Sequence, residues 1–266
     1  MKNIMKAQLL QLKKDRICRF IFIGILVVMC MLVYMLADMA LSNSGRNSNY
    51  LPTGGEQAII MMTMTTVLSQ FFMYLFTAQA CGVDFTDKTM NYEIMAGHTR
   101  REVYFGRVIP TIIIGTVGTM LLMVLPIAAD VIIMGGWGDK VNFTDILLRH
   151  LLMIFPIARV ICEFIFLTFI IKNPYIVMGI SYVACILLGM NVPTTTDHCF
   201  VLGMTNINAI TVINEWQSFG LGGDLHYIYE TALSADFVIP TIVVSVIIGG
   251  IALLLGYTFF KNDDMH

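Results

Sequence analysis

At 266 residues the chain is 57% hydrophobic and only 13% charged, with a formal net charge of −2 and a mean hydropathy of +0.78. A soluble domain carries about twice that share of charge, so composition excludes one and assigns the chain to a membrane. The net charge says nothing about nucleic acid, but no basic stripe interleaved with aromatics exists, and no nucleic-acid partner is expected.

The first 16 residues are basic, and no small-residue cleavage site follows the first apolar run, which predicts a retained N-terminus. They predict an interfacial helix: Met1, Met5, Leu9 and Leu12 share one arc and Lys2, Lys6 and Lys13 line its side, while Ile4 and Leu10 fall off the pattern. Such a helix lies in the headgroup layer with its lysines near anionic membrane lipid; a disordered basic tail is the alternative. A helix needs about 20 apolar residues to cross the hydrocarbon core. Six segments qualify: 18–40, 57–82, 108–130, 148–171, 174–192 and 237–260. The expectation is an all-α integral membrane protein of six transmembrane helices in a single domain, 1–266.

Between the second and third spans, residues 84–107 read DFTDKTMNYEIMAGHTRREVYFGR, the one long charged segment in an apolar chain. Its grammar is helix, stop, helix. Asp84 or Thr86 is placed to cap a short helix. Gly97 is placed to end it, since glycine tolerates the left-handed backbone that closes a helix. Thr99 and Glu102 then form a T-x-x-E capping box, from which a second helix runs through Arg107 into the third span.

In that third span Thr111, Gly115, Gly118 and Thr119 lie on or near one face, a stripe of small residues suited to close helix packing within the subunit or, more boldly, to a dimer seam. The fourth span carries Arg159 and Glu163 one turn apart, where each charge costs roughly 2.5–3.5 kcal/mol on insertion scales. A structural ion pair and a pathway-lining role are both open. Beyond the fifth span, 191–236 is acidic and lacks Lys and Arg. Two short helices packed on the outer face are predicted there, one capped by Thr205 with Ile207, Ile210, Ile213 and Trp216 inward and ending near Gly220. The other is capped by Asp224, with Leu225, Ile228 and Leu233 inward.

Basic residues orient the bundle. With both termini in the cytoplasm that side receives Lys2, Lys6, Lys13, Lys14, Arg16, Arg19, Lys88, Arg100, Arg101, Arg107, Lys172 and Lys261. The outside receives only Arg46, Lys140 and Arg149.

Little in the sequence points to catalysis. No GxxxxGK[ST] loop, HExxH or GxSxG occurs. Gly136-Trp137-Gly138-Asp139 spells the GxGD of intramembrane aspartyl proteases, but Asp139 lies outside the third span and the second span holds no partner Asp, so the run reads as a Gly-rich turn. Asp197, His198, Asp224, His226 and Glu230 match a metal-ligand set only loosely. The cysteines at 18, 30, 81, 162, 185 and 199 sit singly, with no zinc or disulfide pattern. An enzyme is not expected, and no cofactor or metal is assigned to this chain.

The acidic residue, Lys-Thr, Gly-His-Thr-Arg turn and aromatic-basic run of 84–107 resemble the type-2 ABC (ATP-binding cassette) exporter permeases. The resemblance covers the whole chain in layout but only 84–107 in motif. It implies that this segment is the coupling helix that seats in a separate cytoplasmic ATPase subunit, with Asp87, Lys88, Thr89, Glu93, Gly97, His98, Thr99, Arg100, Arg101 and Glu102 as coupling residues. It further implies a second permease subunit, ATP and Mg on the partner ATPase, a plasma-membrane location and a re-entrant helical pair between the last two spans. Compact size and a lone coupling segment look most like the lantibiotic and bacitracin export-immunity branch. Two other readings compete: a secondary transporter using Arg159 and Glu163, and a non-transporting sensor or scaffold that binds ligand through 191–236.

Overall fold

Long apolar stretches with few breaks give long helices, and the described residues are almost entirely helical. The computed structural model describes residues 1–46, 53–138, 141–180, 183, 207, 210–211, 213–215, 228–229 and 233–262. Its main helices are α1 (Lys2–Lys14), α2 (Arg16–Arg46), α3 (Gly54–Thr86), α4 (Thr89–Met95), α5 (Arg100–Ile133), α6 (Phe143–Ile171) and α7 (Ala235–Asn262). A further helical segment covers 174–180. Five are long and apolar enough to cross a membrane: Arg16–Asp38 of α2, α3, α5, α6 and α7. The second, third, fourth and sixth predicted spans fall inside α3, α5, α6 and α7, and most of the first inside Arg16–Asp38. The remaining one, 174–192, is helical where described and otherwise lies outside the described residues.

Helix α3 packs on α2, α4, α5 and α6. Its partner α5 runs antiparallel to it: Gly118 meets Phe72, Gly115 meets Phe76, and Arg107 meets Asp84. An added Cβ would approach the Phe72 ring to 2.9 Å at Gly118 and Ile161 to 3.0 Å at Gly115. Thr111 and Thr119 are buried too, each donating its hydroxyl to the carbonyl four residues back. The small-residue stripe is therefore used up inside the chain and is not a dimer seam.

Helices α6 and α7 run parallel. Gly249 lies against Arg159 and Gly256 against Phe166, while Phe169 packs edge-on to Phe260. Both end beside the start of α5, where the Tyr104 hydroxyl donates to the Leu253 carbonyl at 2.9 Å. Two parallel neighbours oblige the chain to cross from one end of the bundle to the other between Ile171 and Ala235.

At the opposite end a turn rich in left-handed glycines, Gly135, Gly136 and Gly138, docks on the start of α3. The amides of Gly54 and Gly55 donate to the carbonyls of Gly136 and Trp137. A Cβ on Gly54 would collide with the Gly136 oxygen. The Gly136–Gly138 run is thus a structural turn; Asp139 lies outside the described residues.

The expectations for α1 and for 191–236 need correction. In α1 the buried residues are Ile4, Gln8 and Leu12, whereas Met1 and Leu9 are exposed. Ile4 is an anchor, its side chain filling the space opened by Gly106, because α1 packs on α5. Within 191–236, Ile207, Ile210 and Thr211 are helical, but Ile213–Glu215 (β1) and Ile228–Tyr229 (β2) pair as a short antiparallel ladder. Ile213 and Ile228 do not belong to two inward-facing helices. Helices of so few turns are marginal on their own, and β-branched residues favour extended backbone. Trp216, Gly220, Asp224, Leu225 and the metal candidates at 197, 198, 226 and 230 lie outside the described residues.

Candidate functional site

Four helices converge on one guanidinium. Arg107, two turns into α5, donates through Nη1 to Asp84 Oδ1 at 2.7 Å, to Gln11 Oε1 at 2.7 Å and to Gln8 Oε1. Through Nη2 it donates to Glu93 Oε1 at 2.6 Å. Gln8 and Gln11 come from α1, Asp84 from the last turn of α3 and Glu93 from α4. The amides finish the net: Gln11 donates to Asp84 and Gln8 to the Ala80 carbonyl. Thr89, at the start of α4, donates to Asp84 Oδ1 at 2.9 Å.

Burial makes the arrangement tight. Side-chain exposure is 4% for Arg107, 0% for Asp84 and 20% for Glu93. A planar fork with five fixed donors is suited to such a multiple bridge, and lysine is not. Removing both charges from water is expensive, so the net is better read as fixing where α4 sits than as adding stability.

The local backbone of α4 is equally determined. α3 continues through Thr86, so Asp84 and Thr86 do not cap α4; Lys88, with φ of 55°, occupies that position. Asp84 stays in α3 because its carboxylate is the counter-charge of Arg107. The end of α4 matches expectation. Gly97 has φ of 95°, its amide donates to Ile94 O and that of His98 to Glu93 O. These are the two bonds of a Schellman closure. One residue later Thr99 and Glu102 form the capping box of α5, and the terminal ammonium of Met1 lies 3.5 Å from Glu102.

Of the other residues singled out in the sequence, Arg100 donates to the Phe260 and Lys261 carbonyls at 3.3 and 2.6 Å, tying the start of α5 to the end of α7. Asp87, Lys88 and Arg101 are exposed and His98 is half-buried. The outward side of α4 is apolar and bare: Tyr92 is 63% exposed and Met95 72%.

Arg159 and Glu163 are brought together, Nε to Oε1 at 2.7 Å, with the arginine fully buried and the glutamate 29% exposed. They lie along the α6–α7 seam, apart from the Arg107 net. Near the other end of the bundle Arg149 pairs with Asp145 at 2.9 Å and donates to the Ile210 carbonyl. Asp130 there is fully buried, and neither of its carboxylate oxygens has a hydrogen-bond partner among the described residues.

Sequence reasoning missed Arg107 as the hub, together with Gln8 and Gln11. A signal existed in the two glutamines on the flank of an otherwise apolar and basic helix, but pairing them with a residue about a hundred positions away requires the fold. Among the described residues no three His, Cys, Asp or Glu side chains gather into a metal site. Compared with family models, curated proteins and solved structures, the chain matches none.

Proposed function

We propose that this chain is the membrane subunit of an ATP-driven exporter of the type-2 ABC class, and that α4 is its coupling helix. One observation carries the reading: α4 is clamped on its inner side to α1, α3 and α5 through Arg107 and Glu93, while Tyr92 and Met95 stand bare on its outer side. A short surface helix that must transmit force needs that combination of rigid attachment and an unfilled apolar face.

Dimensions support it. At about 1.5 Å per residue, α3 and α5 are each roughly 50 Å long, against about 30 Å of hydrocarbon. Their ends, and α4 with them, stand outside the apolar layer. A push on α4 reaches Arg107 and the Gly97–Glu102 closure, and from there the third span. The α6–α7 parallel packing supports a six-span layout, and the charge split supports cytoplasmic termini at the plasma membrane. The sequence carries no nucleotide-binding loop, so hydrolysis of ATP with Mg belongs to a partner ATPase, with a second permease subunit completing the assembly. An amphipathic or peptide cargo, as in antibiotic-peptide immunity, follows from the resemblance alone.

The test is co-purification of the chain from its own cells with whatever binds it. A nucleotide-binding subunit is expected, and Tyr92→Glu with Met95→Glu should release it while leaving the bundle folded. Transport driven by an ion gradient with no ATPase bound would overturn the proposal in favour of a secondary transporter.

A further inference from the structure

We infer that the crevice between α2 and α5 at the α1 end of the bundle is a binding site for one anionic phospholipid, with an acyl chain in the crevice and the phosphate between Lys13 and Arg19. The inference is independent of the transport reading.

The crevice is a cavity of about 520 Å³. Its floor is buried and apolar, formed by Leu12, Cys18, Phe72 and Phe76, each 6% exposed or less. Its rim is open: Ile23, Ile113 and Val117 are each more than half exposed. On α5 it extends from Ile113 to Leu121, a rise of about 12 Å. One leaflet contributes about 15 Å, half the hydrocarbon core, so the crevice is about one leaflet deep and suits an acyl chain entering from the α1 side.

The two charged residues lining it, Lys13 and Arg19, are both cations and both exposed. Arg19 donates only weakly, to the carbonyls of Asp15 and Lys14 at 3.4 and 3.3 Å. The neighbouring carboxylate, Asp15, is engaged by the Ile17 amide, Cys18 and Gln79. A phosphate at the mouth therefore meets two cations with no carboxylate bridging them.

The same charges argue against a second copy of this chain as occupant. A two-fold interface places the same patch on both subunits. With the axis normal to the membrane, Lys13 and Arg19 would face Lys13 and Arg19 at equal depth, and like charges would repel.

Native mass spectrometry of the full chain in detergent, titrated with phosphatidylglycerol and with phosphatidylcholine, tests the site. One phosphatidylglycerol should be retained in preference. Lys13→Gln and Arg19→Gln should each reduce that preference about fivefold, which is what about 1 kcal/mol per basic residue gives. Val117→Trp, which fills the crevice from its open rim, should remove the tightly held lipid. Equal retention of both lipids by the unaltered protein, or undiminished preference in the doubly neutralised variant, overturns the inference. So does a Val117→Trp variant that turns a dimer into monomers with its lipid retention unchanged, since the crevice would then be a protein interface.

Discussion

Arg107 holds two carboxylates and two amides, and only Glu93 among the carboxylates reaches solvent appreciably. Arg107→Met leaves Asp84 charged and buried with its counter-ion gone, and losing one partner of a buried pair costs about 3–5 kcal/mol. Unfolding of the purified protein in detergent should show a loss of that size, and Asp84→Leu in the same chain should return most of it, since replacing both partners can be nearly neutral. Arg107→Lys should fall between, because an ammonium lacks the fork that spans three helices. An Arg107→Met protein as stable as the unaltered one would mean that the net is not formed. At Arg159 and Glu163 the burial is lopsided, with the arginine sealed against α7 at Gly249 and the glutamate partly open. That favours a structural tie over a pathway. Arg159→Met with Glu163→Leu is expected to fold and to transport; a folded double variant that transports nothing would return the pair to the mechanism.

At the scale of the element, α4 is defined by its ends more than by its seven residues. Gly97 has open space where a side chain would go: among the described residues, none beyond its two chain neighbours has an atom within 4 Å of where its Cβ would stand. Any penalty at this site is therefore one of backbone conformation. Gly97→Val forces a β-branched residue into the left-handed region, at about 1–3 kcal/mol, and Thr99→Ala removes a cap worth about 1 kcal/mol. Neither should unfold a bundle whose core lies elsewhere. Gly97→Val is expected to insert normally and to lose the link between ATP hydrolysis and transport, measured side by side in reconstituted vesicles. Unchanged coupling in that variant would count decisively against α4 as the transmitting helix.

For the whole molecule, the contacts fix which residues share an end of the bundle. Arg100 reaches the carbonyl of Lys261, and Gly82 abuts Pro174, two residues beyond Lys172. Lys88, Lys172 and Lys261 are therefore at the α1 end, and Trp137 and Asn142 at the other. Single cysteines at these positions, in a chain freed of its own, should divide into two classes with an impermeant thiol reagent. Positions 88, 172 and 261 should label only after the cell is opened, and 137 and 142 from outside. Labelling of position 88 in intact cells would invert the orientation.

What the sequence determined by itself is what short-range physics decides. Apolar run length sets the spans, the T-x-x-E box sets the start of α5, and a glycine with no neighbour to constrain it sets the end of α4. Each depends on residues within a few positions of one another. The tertiary structure alone decided the partners. Gln8, Gln11, Asp84 and Glu93 meet Arg107 from three other helices, Ile4 finds its seat only because Gly106 lies opposite, and the small-residue stripe of α5 proves to be filled by Phe72, Phe76 and Ile161. Local pattern reports which side of a helix is apolar, but not whether lipid, protein or a buried guanidinium lies against it. That depends on the packing of helices far apart in the chain.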